Sequence, residues 1–138
     1  MERRRRLLLL ALTIAVALAS GLALSACEVS VTSTHQLALK DDGTTINVHT
    51  GDLIQIDLPL QSGYSDWQLE PSPSTVLDPV FSGKVESAGT SGTVEGDRFV
   101  YRAVKGGHVK LIGSQTPNCG DTSCNDTSRS FTVAVIIS

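Results

Sequence analysis

From His35 to the end of the chain, apolar and polar residues trade places at every second position, over short stretches separated by turn residues. Ile54, Ile56 and Leu58 alternate with Gln55 and Asp57, the pattern of an extended strand with one face in a core and the other in water. Pro59 lacks an amide donor and ends that ladder. The chain returns through Leu60 to Ser65, which holds a glycine and two small hydroxyl residues, to Trp67, a large apolar anchor. Gly51 to Trp67 therefore reads as strand, exposed loop, strand, with the loop held out on a rigid base where recognition usually sits.

The same period runs through the rest. Leu37 and Leu39 alternate with polar neighbours, Asp41-Asp42-Gly43 forms a turn, and Ile46 and Val48 follow, so a hairpin is expected over this region. Thr50-Gly51-Asp52 turns the chain into the strand of Ile54. Pro71, Pro73 and Pro79 rule out a long helix between Glu70 and Pro79 and leave loop with short edge strands, one of them within Val76 to Phe81. Ser82 to Asp97, with Gly83, Gly89, Gly92 and Gly96, reads as a long hairpin-like excursion. Phe99, Tyr101 and Ala103, then Gly106-Gly107, then Val109, Leu111 and Gly113 predict a second hairpin. Ser114 to Ser130 is another excursion, and Phe131 to Ser138 is a β-branched strand expected to pair centrally. Short strands at regular spacing, with no segment of period 3.6, predict an all-β sandwich.

The first 26 residues follow a different rule. Arg3 to Arg6 form a basic head, Leu7 to Leu24 is a nearly unbroken apolar run, and Ser25 and Ala26 are small. This is the plan of a secretory signal peptide. Leu24-Ser25-Ala26-Cys27 resembles the lipobox of bacterial lipoproteins, in which the cysteine is diacylated and becomes the first mature residue. The resemblance implies a signal peptide over 1–26, a lipid-modified Cys27 with a short tether over 27–34, and a folded domain over 35–138. It also implies a place in the cell envelope, outside the cytoplasm and anchored to a membrane. An uncleaved membrane helix is the alternative, since about 18 apolar residues approach the spanning length, and a twin-arginine export route also stays open.

Removing that leader changes the charge balance. The whole chain carries a formal charge of -3, and without Glu2 and Arg3 to Arg6 it keeps 7 basic and 13 acidic side chains. That balance argues against nucleic acid as a partner, since its phosphates need a basic face. The roughly 112 residues that remain suffice for one ordinary core.

Asp42-Gly43-Thr44-Thr45, Gly51 to Pro59, Ser62-Gly63-Tyr64 and Trp67 together resemble the chagasin/amoebiasin-like inhibitors of cysteine proteases. Phe99 to Ile112, with Ala103, Gly107 and Val109, and the closing Phe131-Thr132-Val133 fit the same family's last strands, so nearly all of the mature chain is covered. The resemblance implies an immunoglobulin-like β-sandwich whose three loops, gathered at one end, plug the cleft of papain-like cysteine proteases. In loop one, Gln61, Ser62, Gly63 and Tyr64 stand at the N-P-T-T-G-Y/F motif, of which Ser62, Gly63 and Tyr64 match the last three positions with Ser for Thr, while the Asn-Pro is absent. In loop two, Gly89 and Gly92 of Ala88-Gly89-Thr90-Ser91-Gly92 stand for a glycine-rich loop. In loop three, Gln115 and Pro117 stand at the R-P-W motif, of which the proline alone is kept. A hairpin held on a rigid sandwich fills a cleft with little loss of freedom on binding.

Cys119 and Cys124, spaced C-x4-C in an exported chain, are expected to pair as a disulfide, worth about 2 kcal/mol in the chain-entropy account. The paired C-x2-C spacings of a zinc site are absent, and His35, His49 and His108 are scattered, so neither a metal nor a cofactor is expected. Asp52 and Asp57 read as a turn residue and a solvated-face residue. Nothing local suggests a Ser-His-Asp or Cys-His arrangement, so no enzyme is expected. The sequence thus leads to a monomeric, lipid-anchored inhibitor of papain-like proteases; its alternative is an immunoglobulin-like envelope module for binding or structure, with the fold kept and the inhibitory loops lost.

Overall fold

The computed structural model describes residues 32–89, 92–120 and 127–138, so the expected signal peptide, Cys27 and the start of the expected tether lie outside the described residues. The strands are β1 (Thr34–Ala38), β2 (Thr45–Val48), β3 (Leu53–Pro59), β4 (Gln68–Ser72), β5 (Leu77–Gly89), β6 (Gly92–Ala103), β7 (Gly107–Gln115) and β8 (Arg129–Ile137). They form two four-stranded sheets, in the orders β1-β3-β6-β5 and β2-β8-β7-β4. The period-2 rows meet between the sheets. Ile54, Ile56 and Leu58 of β3 and Phe99, Tyr101 and Ala103 of β6 are buried, as are Val109 and Leu111 of β7 and Phe131, Val133, Val135 and Ile137 of β8. Each such side chain of Val, Leu, Ile or Phe size contributes about 1.5–3 kcal/mol relative to exposure. Tyr101 ties the sheets across this core by donating its hydroxyl to Leu69 O, 3.2 Å away.

Several expectations hold. Pro59 closes β3, opposite Gly96. The glycine-rich excursion is the β5–β6 hairpin, and β8 lies between β2 and β7. Gly96 is there because β6 runs very close to β3: an added Cβ would come within 2.9 Å of Leu58 O.

Both other predicted hairpins are corrected. β1 pairs in parallel with β3 and β2 in parallel with β8, in different sheets. The Asp41-Asp42-Gly43 turn does not fold the chain back; it docks it on the opposite sheet. Asp41 Oδ2 accepts the Ala38 amide at 2.8 Å, Asp42 Oδ1 accepts the Thr132 amide at 2.7 Å, and Gly43 N donates to Thr132 O at 2.7 Å. Likewise β6 pairs with β3 and β5 while β7 pairs with β8 and β4. Gly106-Gly107 is a corner between sheets, where Gly51 N donates to Ala103 O and Gly107 already pairs with Ile137. Alternation says that a strand buries one face. It does not say whether the next strand lies beside it or across the core.

The topology gives the sandwich two distinct ends. Ser33, Asp52, Ala103, Gly107 and Ile137 meet at the base. The links β3–β4, β5–β6 and β7–β8 all lie at the other end, and the described chain joins the sandwich at the base.

Candidate functional site

Loop one is Leu60 to Asp66. Leu60 N donates to Glu95 O at 3.0 Å, carrying the β3–β6 ladder one step past Pro59. Tyr64 N then donates to Gln61 O at 3.1 Å, closing a four-residue turn whose third residue, Gly63, has φ of +83°. Only glycine takes that conformation without a Cβ penalty. A Cβ there would meet nothing within 4 Å, so the turn faces open space, and Gln61, Ser62 and Gly63 are exposed.

Loop three lies directly against it. Tyr64 and Pro117 form an antiparallel bridge, flanked by hydrogen bonds from Ser65 N to Thr116 O and from Asn118 N to Gly63 O, each 2.8 Å. Proline is tolerated here because both bonds pass through its neighbours. Ser65 Oγ lies 3.1 Å from Thr116 Oγ1 and accepts the Thr116 amide at 3.1 Å, and the Tyr64 hydroxyl donates to Thr127 O at 3.2 Å. The two loops are thus stitched into a short ladder on the sandwich.

Loop two is the tip of the β5–β6 hairpin. Gly89 pairs with Gly92, which has φ of +124°, and residues 90 and 91 lie outside the described residues. From Glu86↔Glu95 to the tip, the hairpin runs past the last β3 pairing for four residue pairs, a length of roughly 13 Å. Its stem is fastened to loop one. Lys84 Nζ donates to Asp66 Oδ1, which raises the lysine pKa, and buried Asp97 accepts the Trp67 amide at 2.8 Å. Between loop one and the hairpin runs a groove of about 480 Å³, lined by Leu60 to Tyr64, Asp66 and Thr93 to Glu95.

The structure therefore brings Gln61, Ser62, Gly63, Tyr64 and Pro117 onto one face, with Gly89 and Gly92 on the neighbouring hairpin. Gln115 differs from expectation. It is fully buried, with Nε2 donating to Ser65 O at 2.9 Å and Oε1 accepting from Arg129 Nη1 at 2.9 Å. It supports the loops from beneath and presents no surface. Cys119 is half-buried with Sγ 3.6 Å from Pro117 O, while its expected partner Cys124 lies outside the described residues.

Two carboxylates sit where expected, Asp52 in the turn before β3 and Asp57 on the outward face of that strand, and each is bonded as well. Asp52 is buried and accepts the amides of Ser33 (3.0 Å) and His49 (2.9 Å), with His35 Nε2 at 3.1 Å. The His49 and Ser33 amides are the main reason its pKa is lowered to about 2. Asp57 takes both oxygens to the Arg98 guanidinium, at 2.7 and 2.8 Å, and its pKa is lowered chiefly by that bond. His108 sits away from this group, on the outer face of the β2–β8–β7–β4 sheet.

Sequence reading missed Asp97 and Arg129, yet one signal marks them. Asp97 shares the inward parity of Phe99 and Tyr101, Gln115 that of Leu111 and Gly113, and Arg129 that of Phe131 and Val133. Each is the polar residue that finishes an apolar row at the loop end. Arg129 places its guanidinium carbon 5.4 Å from the Trp67 ring centroid and 6.0 Å from that of Tyr64.

No family model and no curated protein matches the chain. Solved structures do. The cysteine protease inhibitor EhICP2 from Entamoeba histolytica superposes with a TM-score of 0.64 at 21% identity, over 78% of this chain and 98% of that one. The solution structure of amebosin gives a TM-score of 0.54 at 20% identity, over 77% and 98%. At that level of identity the likeness speaks for the fold: the domain is an all-β, immunoglobulin-like sandwich of the chagasin-like kind.

Proposed function

We propose that this domain inhibits papain-like cysteine proteases by placing loop one, backed by loop three and flanked by the β5–β6 hairpin, in the active-site cleft. The observation that carries the reading is the Tyr64–Pro117 bridge with its two flanking hydrogen bonds. It makes a preformed convex edge from two loops, so little conformational freedom is left to lose on binding. The fold shared with EhICP2, itself a cysteine protease inhibitor, supports the same reading. Gly63 lets the backbone approach a partner closely, and nothing projects from it.

The remaining parts of the proposal follow the sequence. Cys27 carries the lipid and holds a monomeric domain outside the cytoplasm, anchored to a cell-envelope membrane. Cys119 and Cys124 form a disulfide that stiffens loop three. The decisive experiment is an inhibition assay of the soluble domain beginning at Glu28 against a panel of papain-like proteases. Reversible, substrate-competitive inhibition is expected, weaker than that of a protein with complete N-P-T-T-G and R-P-W motifs, because buried anchors dominate interface energy. Absence of competition at micromolar concentration overturns the reading in favour of a non-inhibitory envelope module.

A further inference from the structure

We infer that Arg129 is a positioning residue: from the start of β8 it fixes the conformation of loop one and its register with loop three. The inference rests on the inhibitor reading for its functional consequence, though not for its structural one. Arg129 and Gln115 are direct cross-strand partners in the β7–β8 ladder. Both lie on the inward face, where the core row ends. The Arg129 Nη1 bond to Gln115 Oε1 decides which way the Gln115 amide points, since an oxygen accepting from arginine leaves Nε2 to donate to Ser65 O. Gln115 is fully buried, so without Arg129 its Oε1 would be left without that donor in a site closed to water. Reorienting the amide to find another would release Ser65.

The same guanidinium lies over two rings that belong to loop one and its exit, Tyr64 and Trp67. Tyr64 is the residue of the bridge to Pro117, and its hydroxyl reaches Thr127, two residues before Arg129. A single planar cation therefore touches the loop through a ring on one side and through a relayed amide on the other. Lysine could keep the charge near the rings, but it has no flat fork with which to hold Gln115 as well. Loop three contributes no arginine or tryptophan of its own between Ser114 and Asn118. Arg129 and Trp67 supply that pair from outside it.

The test compares the soluble wild-type domain with Arg129→Ala and Arg129→Lys by amide hydrogen exchange, fluorescence and protease inhibition. Trp67 is the sole tryptophan of the chain, so its emission reports the stack directly. In Arg129→Ala, the Ser65 and Asn118 amides should exchange about tenfold faster or more relative to those of Ile54 and Ile56, the Trp67 emission should shift, and inhibition should weaken about tenfold, the scale of one stacked cation and one buried hydrogen bond. Arg129→Lys should recover part of the emission change but leave Ser65 exchange fast. Should Arg129→Ala prove unfolded, Arg129→Lys carries the same exchange test. A Ser65 and Asn118 exchange ratio unchanged in both variants, or acceleration spread equally through β3, overturns the inference, as does undiminished inhibition by Arg129→Ala. If the wild-type domain fails to inhibit while the exchange ratio responds as expected, the inhibitor reading falls and the positioning of the loops by Arg129 stands.

Discussion

Asp52 shows how one side chain can organise the end of a domain. Its carboxylate gathers the amides of Ser33 and His49 and the ring of His35, joining the segment before β1 to the turn before β3. These donors favour the ionised form, which is why the pKa falls from 3.8 to about 2. A folded-state pKa below the unfolded value gives stability that is present above about pH 3.8 and lost as the pH drops through the folded value. Wild-type domain should therefore lose melting temperature between pH 4 and pH 2 faster than Asp52→Asn, whose amide does not titrate there. Parallel curves for the two proteins would show that the carboxylate is not the titrating group. The residue had been readable as a turn former from Thr50-Gly51-Asp52. What alternation also showed, and propensity hides, is that Asp52 has the parity of Ile54, Ile56 and Leu58 and so points inward.

At the scale of the element, strand content was legible and strand pairing was only partly so. The period-2 rows of β3, β7 and β8 follow from side-chain geometry within one strand, and the sequence displays them directly. Which strand becomes a neighbour depends on the turn and on what the turn docks against. The Asp41-Asp42-Gly43 turn bonds to Thr132, some ninety residues away in the chain, and no local pattern encodes that contact. The candidate site divides in the same way. Gly63 and Pro117 carry local signals, whereas the Arg129–Gln115–Ser65 relay exists only once β7 and β8 are paired. Gly113 illustrates a glycine set by packing between elements: a Cβ there would lie 3.1 Å from Leu69 Cδ1, 3.3 Å from Phe131 Cβ and 3.5 Å from Trp67 Cε3. Gly113→Val should destabilise the domain by about 1–3 kcal/mol through overpacking, seen as a lower denaturant midpoint at unchanged slope. A midpoint equal to wild type would mean that β4 and the Trp67 ring move aside without cost.

At the scale of the whole molecule, the two ends of the sandwich are built differently. The described chain joins the sandwich at the base and all three candidate loops lie at the far end, so an anchor preceding Ser33 would leave the loops directed away from the attachment point. Mass spectrometry of membrane-extracted protein should find a lipid on Cys27 as the first residue, and Cys27→Ala should abolish the modification; an unmodified cysteine behind an intact leader would refute the anchor. Between core and loops lies the layer formed by Asp97, Gln115 and Arg129, each satisfied by named partners. Its consequence is evolutionary. Of loop one, Leu60 packs against the apolar rows beneath, while Gln61, Ser62 and Asn118 are exposed, so substitutions at these three need not be matched by repacking of Ile56 or Phe131. Loops one and three can drift, or be exchanged by grafting, as a linked cassette on an unaltered chassis, provided the three polar residues travel with them.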